Sequence, residues 1–529
     1  EAVKGFANDI AVLSDSEIET IPGIGKDLHA KILEIKKNGD CKMHRDLLRK
    51  LSPGILQILK IRGVGPKKTK LFLEQLGIDT VEKLKSAAES GAVATLPGMG
   101  EKSEKAILEA INQSTHLNGR IPIYEALPEA EEYLRYMKES GDVKMAEYAG
   151  SLRRRQETIG DIDILVAGGN VKKMGGHFLK YPKIKQVLSS GDTKSGVVIE
   201  GNIQVDLRVV KQSAFGAALY YFTGSKQHHI HTRTIAMKKN LKINEYGVFK
   251  GEKNIACKSE ENVFNAIGLP YIPPEIREDQ GEIEAALKGN LPVLIEESDL
   301  RGDLHMHSTW SDGADSIQDM ALKAAALGRE YIAITDHMTD LNSVKKQAAE
   351  IESVRKKLKA RKVDIKILYG AEVDILKNGV LNLHEDALKM LDIVFVSIHS
   401  AFNLSRGEQT ERIIRALKHK YSTVLAHPSA RLLNEREAID ADMEKIVRAA
   451  KEYGKFLEID AQAQRMDMNG AYARHCKNAG VKISIDTDAH SVYQLENFKY
   501  GIFMARRGWL EKKDVINSLP YSDLLKLLK

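Results

Sequence analysis

After residue 300, seven short apolar runs each close on a side chain able to ligate a metal, and no other pattern in this chain constrains its fold as tightly. The runs are DLHMH (His305, His307), YIAITDH (Asp336, His337), KILYGAEVD (Glu372), DIVFVSIHS (His399), TVLAHP (His427), KFLEID and VKISIDTDAH (Asp488, His490). A strand buried on both faces reads as a continuous Val/Ile/Leu run, and in barrels of alternating strands and helices the chemistry collects at the C-terminal ends of the strands. The pattern predicts one polynuclear metal site.

Composition bounds the rest. A chain of 529 residues exceeds what one core supports, so roughly two to five compact units are expected. With 43% hydrophobic and 29% charged residues, the sequence is that of a folded, soluble protein. No apolar stretch approaches membrane-spanning length and no signal sequence precedes the first helix signals, which predicts a cytoplasmic protein without a membrane partner. Cys41, Cys257 and Cys476 lie far apart with no CxxC spacing, excluding a disulfide scaffold and a thiolate zinc finger. The net charge of +6 is modest, so any nucleic-acid role must come from local basic clusters. Because the chain opens on Glu1 and the text before Ile21 reads as the tail of a longer helical segment, a truncated amino end is expected.

Residues 1 to about 120 carry a helical period and repeat one pattern three times: TIPGIGKDLHAKI, KIRGVGPKKTKLF and TLPGMGEKSEKAI. Each copy runs an apolar helix end into Gly-x-Gly and then into a Lys-bearing helix start. Such a turn lets backbone N–H groups approach a phosphate at the positive end of the helix dipole, which fixes position without reading sequence. The copies resemble the helix-hairpin-helix DNA-binding motif, whose phosphate contacts would fall to Gly23, Gly25, Lys26, Gly63, Gly65, Lys67, Lys68, Gly98 and Gly100. The first copy also resembles the lyase domain of DNA polymerase beta. That likeness puts Lys31 where the family's Schiff-base lysine stands.

From about 121 to 210 the texture is α+β. YAGSLRRRQETIGDIDIL sets Gly150 and Ser151 at a turn, Arg153, Arg154 and Arg155 behind it, and Asp161 and Asp163 two apart on a strand, hence on one face. A third carboxylate, Asp206, lies in IQVDLRVV, where it would be an unwelcome inward charge unless paired or metal-bound. The constellation suits a two-metal centre in which one ion activates a 3′ hydroxyl and the other neutralises a triphosphate. Ser151, Arg154 and the Gly150 backbone would hold the phosphates. Residues 211 to about 290 are mixed and Tyr-rich, and the Pro/acidic stretch before Leu304 reads as an extended linker.

GSLRRRQETIGDIDIL, QVDLR, YFTGS, Arg233 and INEYG, in that order, resemble the family X DNA polymerases over nearly all of residues 1–296. The resemblance implies a multidomain protein: a lyase-like helix-hairpin-helix domain at 1–50, fingers with two further hairpins at 51–120, a nucleotidyltransferase palm at 121–212 and an α/β thumb at 213–296. It also implies that Mg2+ or Mn2+ binds at Asp161, Asp163 and Asp206, and that Tyr221, Phe222 and Gly224 contact the incoming sugar. By the same likeness Arg233 reaches the template. One departure stands out: His229 occupies the place of the usual Asn. Imidazole can still donate to a minor-groove acceptor, but with different geometry and a pH-dependent charge.

In the last part, His305-x-His307 and Asp312, with His337, Glu372, His399, His427, Asp488 and His490, make nine N/O candidates and no thiolate. That donor set suits manganese, zinc or iron and exceeds the needs of one ion, so two or three metals are expected. His384, His419 and His475 read as ordinary structural or surface residues. The order of the nine resembles the polymerase-and-histidinol-phosphatase (PHP) domain, a distorted (β/α)7 barrel, here at 297–529. That likeness implies removal of nucleotides from DNA 3′ ends, with Arg431 and Lys366 as basic candidates for the phosphate. Ser429 and Ala430 stand where Thr-Gly is expected, and Asp460 where an Asn-rich loop is usual; both changes are expected to touch the substrate rim.

The combined expectation is a monomeric gap-filling DNA polymerase with a fused 3′–5′ exonuclease, acting on gapped or primer-template DNA and dNTPs in base excision repair. Two alternatives stay open: a nucleotidyltransferase of another class, acting on RNA or protein, and a small-molecule phosphoesterase on a DNA-binding tether.

Overall fold

The computed structural model describes residues 120–529 throughout and, before them, residues 15, 18, 25–38, 41, 43, 54–59, 61, 64–105, 107, 108 and 111. The chain divides into two compact units, Glu1–Arg120 and Ile121–Lys529.

The described part of the first unit is helical, with helices Lys26–Asn38, Gly54–Ile58, Pro66–Leu76 and Val81–Glu89. Ile58, Val64, Phe72, Leu84, Val93 and Ile107 share its core. In all three copies of the repeat, the last glycine enters the helix in the same way. Its carbonyl accepts the first intrahelical bond, from His29 to Gly25, Thr69 to Gly65 and Glu104 to Gly100, at 2.9, 3.0 and 3.0 Å. The first amides of a helix have no partner within the helix itself.

The second unit begins with a five-stranded sheet: β1 (Val143–Tyr148), β2 (Ile162–Gly168), β3 (Ile184–Ser189), β4 (Lys194–Ile199) and β5 (Ile203–Val210), in the order β1-β2-β5-β4-β3. Only β2 and β5 run parallel. Helices Ile123–Glu139 and Val171–Phe178 contribute Ile123, Tyr133 and Phe178 to a core with Ile164, Val205 and Leu207. In β5 burial alternates at every residue, so Ile203, Val205, Leu207 and Val209 face the core. Asp206 therefore lies on the open face with Gln204 and Arg208 and is not an inward charge.

Next, helices Phe215–Thr223, Lys226–Lys238 and Glu260–Ala266 pack around an antiparallel sheet of β6 (Lys242–Asn244), β7 (Gly247–Lys250) and β8 (Lys253–Ala256). The stretch expected to be a linker is instead part of this core. Ile272, Ile276 and Ile283 are buried, and Arg277 and Glu282 are wholly so. Each buried charge finds a distant partner: Arg277 Nη1 lies 2.6 Å from Glu260 Oε1, and Glu282 Oε1 lies 2.7 Å from His228 Nδ1. Arg153 clasps the same Glu260 through both guanidinium nitrogens, at 2.9 and 2.6 Å.

The rest is a parallel sheet of β9 (Gly302–Asp303), β10 (Tyr331–Ile334), β11 (Lys366–Asp374), β12 (Ile393–Ser397), β13 (Val424–Leu425), β14 (Phe456–Asp460) and β15 (Ile483–Asp486), in sequence order. Just beyond β9 and β15 the chain pairs again, Met306 with Ala489, and the barrel is nearly closed. Helices lie between most successive strands, and every residue of β10, β12, β14 and β15 is buried, which explains their continuous apolar runs. The core of the five-stranded sheet and that of the barrel form one hydrophobic cluster, running from Ile164 and Val205 to Val373, Ile459 and Phe503. Among the described residues, no helix is long and apolar enough to cross a membrane.

Burial pushes the Glu260 carboxyl up, but Arg277 and Arg153 outweigh it and hold it below the usual range. Its contribution is therefore present above the ordinary glutamate range and lost as pH falls through the folded-state value. Glu260→Gln leaves the buried Arg277 and the partly buried Arg153 without their shared counter-charge, and urea unfolding monitored by circular dichroism should find a loss of about 3–5 kcal/mol at neutral pH.

Candidate metal centres

The first centre is set by strand register. In the parallel pair β2–β5, Asp163 stands directly opposite Asp206, and Asp161 precedes β2 by one residue. One carboxylate oxygen of each lies within 4.8 Å of the others. Burial, then Asp161 and Asp206, pushes the Asp163 carboxyl up to about 7. A site that gathers charge at this cost is one that a cation relieves. Gly150 makes room beside it: its φ is +60°, and a Cβ there would come within 2.4 Å of Asp163 Oδ2.

Gly150 and Ser151 open the short helix Gly150–Arg153. Arg154 follows, donating from Nη1 to the Thr223 carbonyl at 2.5 Å and from Nε to Glu278 at 3.0 Å. Tyr221 and Phe222 end the helix before Gly224, with Arg233 over the Tyr221 ring and Arg208 over that of Phe222, at 5.5 and 5.2 Å. A Cβ on Gly224 would lie 3.0 Å from Arg154 Nη1.

His229 departs from expectation. Burial, then the neighbouring His228, pushes its imidazole down to about 3, so the ring is neutral at physiological pH. Its Nε2 lies 2.9 Å from the Tyr221 carbonyl, which can only accept, so Nε2 carries the proton. Nδ1 is then an acceptor, and His229 cannot donate to a minor-groove acceptor as the sequence reading allowed.

Of the hairpin residues, Gly25, Gly65, Lys67, Lys68, Gly98 and Gly100 are described, whereas Gly23, Gly63 and the Lys26 side chain lie outside the described residues. Lys31 is partly exposed and paired with Asp27 one helical turn away, at 2.5 Å.

The second centre brings all nine candidates together around Glu372, near the end of β11. Glu372 Oε1 faces His399 Nε2 and His427 Nε2 at 3.3 and 2.9 Å. Its Oε2 faces His305 Nε2, His307 Nε2 and His337 Nδ1 at 3.3, 3.4 and 3.5 Å. Asp488 Oδ1 lies 3.0 Å from His307 Nε2. Asp312 Oδ2 meets His490 Nε2 at 3.3 Å and His337 Nε2 at 3.7 Å. Three overlapping sets result: His305, His307, Glu372 and Asp488; His307, Asp312 and His337; and His337, Glu372 and His399.

These groups fit divalent metals by their own geometry. Two imidazole nitrogens bound at about 2.0–2.1 Å to one tetrahedral ion stand roughly 3.3–3.4 Å apart. His305 and His307 Nε2 are 3.3 Å apart. Asp488 Oδ1 and His427 Nδ1 are buried with no hydrogen-bond partner. Burial lowers the His307 pKa, but the Asp488 and Glu372 carboxylates outweigh it and raise it to about 10. Burial alone would raise the Glu372 carboxyl, yet His305, His307 and His427 hold it well below its ordinary range. Bound protons thus stand where cations balance the same charge. The open side is a cavity of about 250 Å³ lined by His337, Thr339, Glu372, Asp374, Asn382 and His399.

Sequence reading missed the layer that orients these ligands. Glu458, in the middle of β14, accepts from His305 Nδ1 at 2.7 Å and from the His427 amide at 2.6 Å. Asp374 takes His399 Nδ1 at 2.8 Å. A carboxylate inside a wholly buried strand was the available signal for Glu458. Asp336 is scaffolding, accepting from the Ser308 amide and from Gln347 at 2.7 Å each. Neither basic candidate lines the site. Lys366 begins β11, at the end opposite Glu372, and pairs with Asp364. Arg431 is paired with Glu157 at 2.8 Å. The cation beside the ligands is Arg465, with Nε 3.3 Å from Asp460 Oδ2 and 3.6 Å from Asp488 Oδ2. Asp460 is wholly buried and so is not part of the rim.

Two acid-built metal centres on a five-stranded sheet and a parallel barrel, joined to a repeated glycine-hairpin unit, define a metal-dependent enzyme of phosphoryl transfer on nucleic acid. Family models agree along the chain: a SAM-like helix-hairpin-helix tandem over residues 55–113, a DNA polymerase beta thumb over 218–278 and a PHP domain over 303–462. The DNA polymerase/3'-5' exonuclease PolX of Bacillus subtilis is 36% identical over 542 residues, spanning 100% of this chain and 94% of that protein. The chain therefore belongs to the family X DNA polymerases with a PHP domain, and is a DNA polymerase and 3′–5′ exonuclease of the PolX type. A probable phosphatase of Thermoanaerobacter sp. (strain X514) is 31% identical over 229 residues, 41% of this chain and 89% of that one. A crystal structure of Leishmania infantum polymerase beta, a ternary P/T complex, is 23% identical with a TM-score of 0.29, covering 42% of this chain and 98% of that one.

Glu458→Gln keeps the shape of the residue and removes the acceptor charge behind His305. Titration of the metal-stripped enzyme with Mn2+ should find barrel affinity weakened by about 10–100-fold, while primer extension stays at the parental rate.

Proposed function

We propose that Asp161, Asp163 and Asp206 hold Mg2+ or Mn2+ for dNTP addition, and that the nine barrel groups hold two or three Mn2+, Zn2+ or Fe ions for 3′-end hydrolysis. Gapped or primer-template DNA is the substrate, short-gap repair in the cytoplasm is the setting, and the enzyme works as a monomer. On this reading the parts are a lyase-like domain at 1–50, fingers at 51–120, palm at 121–212, thumb at 213–296 and PHP barrel at 297–529. The observation that carries it is the convergence of the acids: Asp163 facing Asp206 across β2–β5, and Glu372 turning one oxygen to each half of the imidazole ring set.

When bound, the ions supply Lewis acidity at both centres, acidifying the attacking oxygen and neutralising charge on the phosphoryl group. The protein does the placing. In the palm, Gly150 lets a phosphate approach where a side chain would collide with Asp163, Ser151 and Arg154 present donors to it, and the Tyr221–Phe222 pair crowds a ribose 2′ position. Arg233 stands over Tyr221, toward a template strand. In the barrel, Glu458 and Asp374 fix which nitrogen of His305 and of His399 carries the proton, so each presents a lone pair to the cavity. Arg465 is the cation available to a scissile phosphate, in place of Arg431 and Lys366. In the hairpins, the Gly65 and Gly100 turns set a helix start toward DNA phosphate, with Lys67 and Lys68 adding charge. A nucleotidyltransferase of another class, or a phosphoesterase on a tether, accounts for only part of a chain whose whole length aligns with a polymerase/exonuclease.

The two centres should be separable. Asp206→Ala should lower primer extension on gapped DNA by about a thousand-fold, the scale of several kcal/mol of lost charge stabilisation, and leave 3′-end hydrolysis intact. His307→Ala should do the reverse. If either substitution removes both activities from a protein of unchanged melting temperature, the separate-centre reading is wrong.

A further inference from the structure

Helix Phe498–Arg507 belongs to the barrel half of the chain, yet its last two residues reach into the polymerase half. Its Phe498, Ile502, Phe503 and Met504 lie in the core shared by both halves. Arg506 Nε meets Glu275 at 2.7 Å. Arg507 Nη1 donates to the Arg154 carbonyl at 2.9 Å and to Glu278 Oε1 at 3.2 Å. That same Glu278 oxygen takes Arg154 Nε at 3.0 Å and Gln156 Nε2 at 2.5 Å. Phe503 supports the neighbour, with Arg155 stacked 4.4 Å over its ring.

We propose that Arg507, a residue of the nuclease barrel, is a positioning residue for the polymerase's nucleotide site: it holds Arg154 in place and leaves the Arg154–Glu278 pair with a net positive charge for the triphosphate. The inference rests on the reading of Arg154 as a phosphate ligand. Two physical effects carry it. The first is charge balance. Arg154 and Glu278 alone form a neutral pair, and a neutral pair offers a triphosphate little. With Arg507 on the same carboxylate the trio carries one net positive charge, and all three side chains are only 14–17% exposed, so solvent screens it weakly. The second is placement. The bond to the Arg154 carbonyl fixes the backbone from which the guanidinium reaches the Thr223 carbonyl, beside Gly224. A strained or shifted Arg154 would lose that contact.

Arg507 touches no residue of the barrel's metal centre among the bonds and ion pairs described for it, so the effect should fall on one activity alone. The test is steady-state single-nucleotide insertion on a one-nucleotide gap with full-length enzyme. Arg507→Ala should raise the KM for dNTP by about tenfold, the scale of one lost charge-assisted contact, with kcat within about twofold. Arg507→Lys should recover part of the loss, and Arg507→Gln, which keeps a donor without the charge, should not. Exonuclease kcat/KM and melting temperature should stay at parental values in all three. An unchanged KM in Arg507→Ala, beside a raised KM in Arg154→Ala, overturns the inference and leaves the nucleotide-site reading standing. An unchanged KM in Arg154→Ala overturns that reading instead. Parallel loss of melting temperature and of both activities in Arg507→Gln and Arg507→Lys would reduce Arg507 to a structural contact and equally overturn it.

Discussion

Carboxylates drawn out of water repel one another, and both centres of this molecule are built on that repulsion. In the palm it is unbalanced: Asp161 and Asp206 add to burial at Asp163 and push its proton affinity toward neutrality. In the barrel it is balanced by imidazole. Glu372 and Asp488 stay ionised because His305 and His307 sit against them. Behind them Asp460 and Asp486 are pushed upward, first by burial and then by neighbouring carboxylates, and Glu458 is pushed upward by burial that outweighs its His305 partner. A cation would relieve the carboxylate repulsion on the half-open sheet face directly, whereas at the barrel it would replace the protons that Glu372 and Asp488 favour on His305 and His307. Metal uptake at the barrel must therefore release protons, and uptake at the palm need release few.

The second constraint is mechanical. The five-stranded sheet and the barrel bury their apolar faces in one cluster, and the seam is pinned by partly buried charge pairs, Arg431 with Glu157 and Arg506 with Glu275. Arg431, which looked like a phosphate ligand, is spent on this seam, and so is Arg155 through Phe503 and through Tyr148, to which it donates at 2.8 Å. Removing either partner of such a pair strands a charge in a poorly solvated place. That explains why basic residues near a phosphate-handling site can be structural: the site's surroundings need cations for packing as well as for substrate.

The barrel was legible because its ligands sit where buried strands end. A run such as DIVFVSIHS carries its own register, and His399 falls two residues past the strand. The paired acids of β2 and β5 were legible for the same reason, since alternation fixes faces, and Asp206 shares the open face with Gln204 and Arg208. What stayed hidden depends on partners far away in the chain. The Pro/acidic stretch looks like linker because composition cannot show that Arg277 will meet Glu260, or Glu282 meet His228. Lys366 lies only six positions before Glu372 in the text, but in an extended strand that distance puts it at the opposite end of β11. Glu458 escaped because it interrupts an apolar run without ending it.

The two sequence departures in the barrel acquire a meaning from backbone geometry. Ala430 has φ +50°, in the left-handed region where the expected glycine would rest without strain. It is not alone: His427 and Met466 have φ of +28° and +43°, and Asp488 of +47°. Left-handed backbone costs an L-residue roughly 1–2 kcal/mol, so four such positions beside one cluster persist only if their neighbours over-determine them. Here they do. Ser429 donates from its amide and its hydroxyl to Asp467, at 3.1 and 2.8 Å to the nearer oxygens. Asp467 in turn pairs its backbone with Asp460, and Arg465 bridges Asp460 to Asp488. Serine supplies the hydroxyl that threonine would, alanine accepts the turn at a cost in strain, and the buried Asp460 anchors the loop from below. The changed positions thus hold the shape of the ligand loops, with no ligand lost, and their effect reaches the substrate only through the rigidity of that frame.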